Sequence, residues 1–221
     1  MLIVPHCQTV VILPPRTGSG TLIKAVLRDC PGSFLLYRHM EADGVPHGYD
    51  KWHKVGILRN PVDRLWSLYK FLHTINSPSY NPVWLKEQRD SVLRYPSFSD
   101  WIVNNDVVFT YPPPVCEERP VYEAQYSVLH PTPETKKSQY IYLRPDLGTI
   151  IVPYENLSTL ASRLGADINT AVMNVTSKDE PMPPLSAEAE AHVRWFFSWD
   201  EERHRAEVSS GVRQRKTGIG P

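Results

Sequence analysis

The stretch from residue 9 to residue 21 constrains the fold of this 221-residue chain more than any other. It begins with an apolar, β-branched run, passes two prolines, and opens into a short loop of glycine, serine and threonine. An amphipathic helix follows, with Leu22, Ala25 and Val26 on one face. Glycine permits a close backbone approach, and the amides and dipole of a helix N-terminus favour negative charge. This strand–loop–helix unit therefore predicts a binding site for a phosphate or a phosphate-like group.

The loop does not fit the two commonest phosphate-binding patterns. After Gly20 come Thr21 and Leu22, where a nucleoside-triphosphatase loop has lysine followed by serine or threonine. The dinucleotide fingerprint fails as well, because Ile23 stands where its third glycine belongs. Here the basic residue, Arg16, precedes the glycines, and hydroxyl-bearing residues follow it. The alternative is a tight strand-to-helix turn that binds no ligand.

A second segment, residues 55–71, also points to an anion site. A short apolar strand ends at Arg59, Asn60 is placed to cap a helix, and Pro61 suits the first helical position. Apolar residues then recur at helical spacing and predict the buried face of the helix: Val62, Leu65, Trp66 and Tyr69. Ser67 falls outside that face, so we expect Arg59 and Ser67 to face one pocket. The alternative is a capped amphipathic helix whose charged side is solvated.

In this order, the two segments resemble the motifs of sulfotransferases that use 3′-phosphoadenosine-5′-phosphosulfate (PAPS). Residues 15–21 resemble the 5′-phosphosulfate loop. Residues 59–69 resemble the 3′-phosphate motif, Arg-[Asp/Asn]-Pro-x-x-Arg-x-x-Ser-x-Tyr, with the arginine-to-serine spacing matched. Residues 154–157 add a weaker match to a Tyr/Phe-Glu-x-Leu element, and the carbohydrate (Golgi-type) enzymes are the closer likeness. The resemblance does not extend to residues 76–140.

The alternation of strands and helices predicts an α/β fold in three layers, α/β/α, with a central, mainly parallel sheet; the resemblance implies that it is P-loop-like. The predicted strands span 9–13, 33–37, 54–58, 139–144 and 149–153. The predicted helices span 20–29, 61–75, 82–92, 97–104, 155–164 and 186–198. We expect a single domain, 1–221. Its irregular segment at about 76–140 either shapes the acceptor site or is a surface connection, and its basic tail at 206–221 is either disordered or touches the cofactor.

The resemblance implies a site without a metal, in which cationic side chains and backbone amides hold PAPS and its product PAP. The cofactor-binding residues that it implies are Arg16, Thr17, Gly18, Ser19, Gly20, Thr21, Arg59 and Ser67. Arg59 and Ser67 would take the 3′-phosphate, which distinguishes PAPS from other adenine nucleotides. Most of the family has lysine at the position of Arg16, so Arg16 either assists the leaving group or only clamps the phosphate.

The resemblance also implies a general base, histidine or glutamate, between the two motifs. The residues expected to serve catalysis are His39, Arg16 and Glu41. His39 follows the apolar run 34–37, at the carboxyl end of a predicted strand, and a histidine side chain titrates near neutral pH, which suits proton abstraction. Glu41, His47 and His53 are the other candidates for the base, and a structural role stays open for each of them.

Composition limits the possible partners. The chain has 24 basic and 24 acidic residues and a formal net charge of +0, which predicts no nucleic-acid partner. Its three cysteines have no metal-binding spacing and favour a reducing compartment. The sequence has neither a secretory signal nor a run of membrane-spanning length, so we predict a cytoplasmic protein without membrane insertion. The expected acceptor is a small molecule or a carbohydrate with a hydroxyl or amine group.

Two other functions stay open. A nucleotide kinase or another P-loop phosphotransferase is opposed by the missing Lys-Ser/Thr pair after the loop. A non-catalytic adenine-nucleotide-binding module would retain both anion sites and bind PAP, but would transfer nothing to an acceptor.

Overall fold

The structure is a computed structural model that describes residues 1–36, 39–74, 89–90, 92–104, 138–169 and 180–217. The chain divides into two compact units. The first comprises Met1–Arg64, Ser138–Val175 and Phe196–Pro221, and the second comprises Leu65–Lys137 and Thr176–Trp195. That the whole chain is a single domain stays a prediction.

The first unit is built around a mixed β-sheet of five described strands. In chain order they are β1 (Leu2–Val4), β2 (Thr9–Ile12), β3 (Phe34–Leu35), β4 (His53–Leu58) and β5 (Ile150–Pro153). Their order across the sheet is β3-β1-β2-β4-β5, with β1 antiparallel to both neighbours and with β2, β4 and β5 mutually parallel. The predicted α/β class is confirmed. Strand β1 has no counterpart among the predicted strands, because only three residues separate Met1 from Pro5.

The structure describes seven helices, and those of the first unit contact each other or the sheet. The described helices are α1 (Ser19–Asp29), α2 (Pro61–Thr74), α3 (Phe98–Asn104), α4 (Gln139–Leu143), α5 (Leu157–Arg163), α6 (Ala187–Phe196) and α7 (Ser198–Thr217). Helices α1 and α5 contact each other and share the main apolar core with one sheet face. Helix α4 contacts β4, and α7 contacts both β5 and α4.

Alternation along the strands builds the main core. Val11 of β2 and Val55 of β4 point to the side of the sheet where α1 lies. Leu22, Ala25 and Val26 of α1 are fully buried there, which confirms the predicted apolar face of this helix. Burial of this apolar face anchors α1 on the sheet, and the first turn of α1 therefore lies at the end of β2.

Gly56 of β4 lies where helix α4 approaches the sheet. A Cβ atom added at Gly56 would overlap the side chain of Leu143 and would lie 3.0 Å from Cγ2 of Thr149. The absence of a side chain at this position therefore lets α4 rest directly on β4.

The segment 139–144 is helical, so the predicted strand there is wrong. Its aromatic and aliphatic residues favour a strand by propensity. However, Oγ of Ser138 caps a helix by accepting a hydrogen bond from the backbone N–H of Tyr140 at 3.2 Å. The helix ends at Arg144, whose φ is 41°, immediately before Pro145. Local capping and helix termination therefore outweigh the β-propensity of the residues between them.

The predicted buried face of α2 is wrong in part. Of the four expected members only Leu65 is buried, whereas Val62, Trp66 and Tyr69 are half-buried. The other buried leucines of the helix are Leu68 and Leu72. Ser67, which was expected outside the buried face, is buried, and so is Arg64. The predicted start of the helix is confirmed, because Oδ1 of Asn60 accepts hydrogen bonds from two first-turn amides at 2.9 and 3.2 Å.

The second unit contains an aromatic cluster. Trp66 and Tyr69 of α2 pack against Phe98 and Trp101 of α3, with ring centroids 5.0 to 5.5 Å apart across the two helices. Helix α3 confirms the predicted helix at 97–104.

The C-terminal region forms two helices in place of the single predicted helix at 186–198. Helix α7 continues to Thr217, so the part of the tail before residue 218 is helical. Most of the predicted helix at 82–92 and residues 105–137 of the irregular segment lie outside the described residues. Within the described part of the chain, no helix is both long enough and apolar enough to cross a membrane.

Candidate functional site

The loop between β2 and α1 has an unusual backbone. Arg16 and Gly18 both have positive φ, 64° and 76° respectively. Inside the loop, the hydroxyl of Thr17 is buried and donates a hydrogen bond to the carbonyl of Pro14 at 2.7 Å. Gly18 is the N-cap residue of α1 and has no side chain to accept from the first amides of the helix. The loop thus presents a helix N-terminus of the kind that binds anions.

Arg59 lies against this loop. It directly follows β4, and its Nη1 donates a hydrogen bond to the backbone carbonyl of Arg16 at 3.0 Å. Its guanidinium carbon lies 4.8 Å from the ring centroid of Tyr154, which directly follows β5. Since β2, β4 and β5 are adjacent and parallel, their carboxyl ends bring these three residues to one edge of the sheet.

Tyr154 is held from two sides. Its ring is so close to Gly18 that a Cβ added there would lie 2.8 Å from Cε2. The next residue, Glu155, accepts a hydrogen bond from Nε2 of His204 on α7 at 3.0 Å. The loop thus packs against the ring beneath the Arg59 guanidinium, and α7 holds the residue that follows it.

His39 lies at the same edge. Its side chain is buried, and Nδ1 is 2.8 Å from the carbonyl oxygen of Leu13, the residue that follows β2. A carbonyl only accepts, so Nδ1 carries the proton in the neutral imidazole and Nε2 is the basic nitrogen. The φ of His39 is 62°, so this ring is held by a backbone conformation that is uncommon for residues with a side chain. A histidine in this arrangement can accept a proton beside the loop.

The other predicted residues take up different positions. Ser19, Gly20 and Thr21 form the first turn of α1, and Ser19 is buried. Glu41 is fully buried and precedes the short 3₁₀ turn Ala42–Gly44. Ser67 is buried but belongs to the second unit, so its partnership with Arg59 stays a prediction.

The two alternative histidines are exposed. His47 begins the 3₁₀ turn His47–Tyr49. His53 is the first residue of β4 and pairs with Thr9, the first residue of β2. His53 therefore lies at the amino ends of these strands, on the edge of the sheet opposite to Arg59.

Two residues that the sequence interpretation did not select form a buried hydrogen-bond network that reaches the Arg59 backbone. Gln139 is fully buried, and its side-chain amide pairs with both the N–H and the carbonyl of Arg59, at 3.0 and 2.7 Å. Asp200 is fully buried and accepts hydrogen bonds from the Gln139 backbone N–H at 3.0 Å and from the Ser138 hydroxyl at 2.7 Å. Eighty residues separate Arg59 from Gln139, so no local pattern could have identified this pair.

The buried charges near Arg59 influence one another. Burial raises the pKa of the Asp200 carboxyl, and the positive charge of Arg64 and hydrogen bonds from Gln139 and Ser138 oppose this shift. Burial lowers the pKa of the Arg64 guanidinium, and the negative charge of Asp200 opposes that shift. An arginine keeps its proton at physiological pH, so the positive charge of Arg64 stabilises the ionised form of Asp200.

We expect Gly18→Ala to disturb the site more than its backbone conformation alone would explain. Alanine at a φ of 76° costs about 1–2 kcal/mol in folding free energy. Its methyl group would also lie 2.7 Å from Cδ2 of Leu157 and 2.8 Å from Cε2 of Tyr154, so both side chains must shift. Such overpacking costs about 1–3 kcal/mol more. Urea unfolding measures the total.

Gly32→Ala is the matched control for this prediction. Gly32 has a φ of 80°, and a Cβ added there has nothing within 4 Å. The difference between the two variants isolates the contact with Tyr154 and Leu157. Equal losses of unfolding free energy in both variants would show that the close contacts at Gly18 contribute nothing to the effect.

Comparison of the chain with protein-family models, with curated proteins and with solved structures finds no match. Among the described residues, no group of three or more His, Cys, Asp or Glu side chains is arranged to hold a metal ion. What this site binds is therefore inferred from its own residues and their geometry.

Proposed function

We propose that this protein is a PAPS-dependent sulfotransferase that acts on a hydroxyl or amine group, with a carbohydrate as the favoured acceptor. The observation that carries the proposal is the hydrogen bond from the Arg59 guanidinium to the Arg16 carbonyl. It brings the two segments that resemble the 5′-phosphosulfate and 3′-phosphate motifs together at one sheet edge. A bisphosphorylated adenosine needs two anion sites within one molecule's length of each other. On this proposal the strand–loop–helix unit is P-loop-like, and the cysteine content favours a cytoplasmic location.

Each residue near the loop has a role on this proposal. The backbone amides at the start of α1, together with Arg16, bind the 5′-phosphosulfate and neutralise charge on the leaving phosphate oxygen. Arg59 binds the 3′-phosphate by charge-assisted hydrogen bonds, and Ser67 is its proposed partner. The planar guanidinium of Arg16 suits two oxygens at once, so it clamps the phosphate group in the place where the family has a lysine.

His39 is the proposed general base. A lone pair of the acceptor oxygen or nitrogen forms a bond to sulfur, and the bond between sulfur and the 5′-phosphate oxygen breaks. The electrons of that bond leave with PAP, and Nε2 of His39 takes the acceptor proton. The hydrogen bond between Nδ1 and the Leu13 carbonyl keeps Nε2 unprotonated in the neutral ring. Positioning and charge neutralisation then supply the remaining catalysis, as in phosphoryl transfer.

Calorimetric titration with PAP, AMP and ATP tests the proposal. We expect the wild-type protein to bind PAP more tightly than AMP, because only PAP has a 3′-phosphate for Arg59. Equal affinities for PAP and AMP would remove the assigned role of Arg59. Magnesium-dependent turnover of ATP would instead favour the phosphotransferase alternative, and PAP binding without transfer to any acceptor in a radiolabelled-sulfate screen would favour the non-catalytic module.

Arg59→Ala should weaken PAP binding by roughly ten- to a hundredfold. This range corresponds to about 1.5–3 kcal/mol, the contribution of a hydrogen bond to a charged group. The affinity for AMP should change much less, since AMP lacks the group that Arg59 binds. Arg163→Ala, at an exposed position on α5, is a control with the same change of charge and should leave both affinities unaltered.

A further inference from the structure

We infer that Gln139, oriented by Asp200, is a positioning residue that sets where the Arg59 guanidinium binds its anion. The inference rests on the proposed function, because it assigns these residues to recognition of the 3′-phosphate. Neither residue belongs to the motifs that identified the site, and neither reaches the ligand on this proposal. They act on the backbone of the residue that does.

The side chain of Gln139 hydrogen-bonds the backbone of Arg59 in the way that a neighbouring strand bonds a residue within a sheet. The last paired residue of β4 is Leu58, opposite Pro153 of β5. Arg59 lies one residue beyond, and the single side-chain amide of Gln139 accepts from its N–H and donates to its carbonyl. Both backbone polar groups are thus satisfied away from the sheet, which fixes the peptide that carries the guanidinium.

Asp200 determines which way the Gln139 amide faces. Nε2 of Gln139 lies 2.7 Å from the Arg59 carbonyl and 3.4 Å from Oδ2 of Asp200, and both of these atoms accept hydrogen bonds. The flipped amide would place its oxygen against those two acceptors and its NH₂ against the Arg59 N–H. The Asp200 carboxylate therefore favours the amide orientation in which Gln139 hydrogen-bonds both backbone groups of Arg59. Asp200 also accepts from the Gln139 backbone N–H, which holds the start of α4 in register.

The guanidinium itself has little freedom once the backbone is held. Its Nη1 donates a hydrogen bond to the Arg16 carbonyl, and the guanidinium lies over the ring of Tyr154. A small shift of the Arg59 backbone would break this alignment, and misplacement by about 1 Å costs up to a hundredfold in function at other sites. On this inference, the hydrogen bonds between Gln139 and the Arg59 backbone are needed for anion recognition and not only for folding.

The test uses the ratio of PAP affinity to AMP affinity in the full-length protein, measured by calorimetry. Gln139→Met keeps the size of the side chain but can neither donate nor accept in this geometry. We expect it to lower the ratio by roughly ten- to a hundredfold while AMP affinity stays near the wild-type value. Gln139→Glu keeps the acceptor for the Arg59 N–H but places a carboxylate oxygen against the Arg59 carbonyl and Asp200. It should therefore lower the ratio at least as much as methionine does, and it serves as the second variant should methionine prevent folding.

Tyr140→Phe is the control from the same helix, because it removes a side-chain hydrogen bond, to Asp146, that does not involve Arg59. It should leave the ratio unchanged. If the Gln139 variants weaken PAP binding and AMP binding equally, or if they weaken neither, the positioning role is wrong and Gln139 is structural. If the wild-type protein itself fails to distinguish PAP from AMP, the proposed function fails, and the two failures are thereby told apart.

Discussion

Replacing His39 by asparagine should lower kcat for sulfuryl transfer by roughly 10²–10⁴-fold, the usual contribution of a general base. Asparagine is chosen because its NH₂ group can replace Nδ1 as the donor to the Leu13 carbonyl. It also tolerates the positive φ of residue 39 better than most side chains do. What it lacks is the basic Nε2 atom. The variant therefore removes the proton acceptor and leaves the local structure largely in place.

Two measurements and one control variant make this prediction specific. The rate of transfer from PAPS to an identified acceptor gives kcat, and calorimetry with PAP should show wild-type affinity, since His39 is not assigned to the cofactor. His6→Asn is the matched control, because His6 is exposed and precedes β2, away from the carboxyl ends of the strands. A wild-type rate in His39→Asn would exclude His39 as the base. The same experiment on Glu41 and His47 would then test the remaining candidates, since His53 lies at the opposite edge of the sheet.

The part of this site that the sequence predicts is the part encoded in consecutive residues. The run before Arg16 forms β2 and the run before Arg59 forms β4; Arg59 follows its strand directly, and Arg16 follows β2 after three residues. Adjacent parallel strands place such residues at one edge, so proximity of Arg16 and Arg59 follows from pattern and topology together. Asn60 likewise caps α2 because capping depends on immediate neighbours.

Features that depend on distant partners were not predictable in this way. Gln139 looks like part of a strand by propensity, and its role depends on Arg59 eighty residues earlier. Asp200 is a charged residue in a polar stretch, where exposure is the usual expectation, yet it is fully buried. By its spacing Arg64 falls outside the predicted apolar face of α2, and it is buried as well. Burial of charge is decided by tertiary contacts, which a single sequence does not display.

Asp200→Ala should destabilise the first unit by about 3–5 kcal/mol, the usual loss when one partner of a buried charge pair is removed. Two effects combine. The guanidinium of Arg64 loses the negative charge that opposes its burial. The Ser138 hydroxyl and the Gln139 backbone N–H, which bond Asp200 at 2.7 and 3.0 Å, lose their acceptor. Urea unfolding followed by circular dichroism measures the change.

Asp200→Asn separates the charge from the hydrogen bonds, because asparagine keeps the volume and one acceptor oxygen. It should lose less stability than the alanine variant. If alanine and asparagine cost the same, charge rather than hydrogen bonding holds this network together. An unfolding midpoint for Asp200→Ala equal to that of the wild type would contradict any stabilising role for Asp200.

The comparison of wild type with Asp200→Asn also has a definite dependence on pH. Burial raises the pKa of the Asp200 carboxyl above 3.8 in the folded protein. Between 3.8 and the raised value, the folded chain therefore binds more protons than the unfolded chain. The stabilising contribution of this titration is complete below the unfolded pKa and declines as pH rises through the folded pKa. Asparagine does not titrate, so the advantage of the wild type over Asp200→Asn should be largest in acid and should shrink towards neutral pH. An advantage that instead grows with pH would mean that Arg64 stabilises the ionised carboxylate more strongly than burial penalises it.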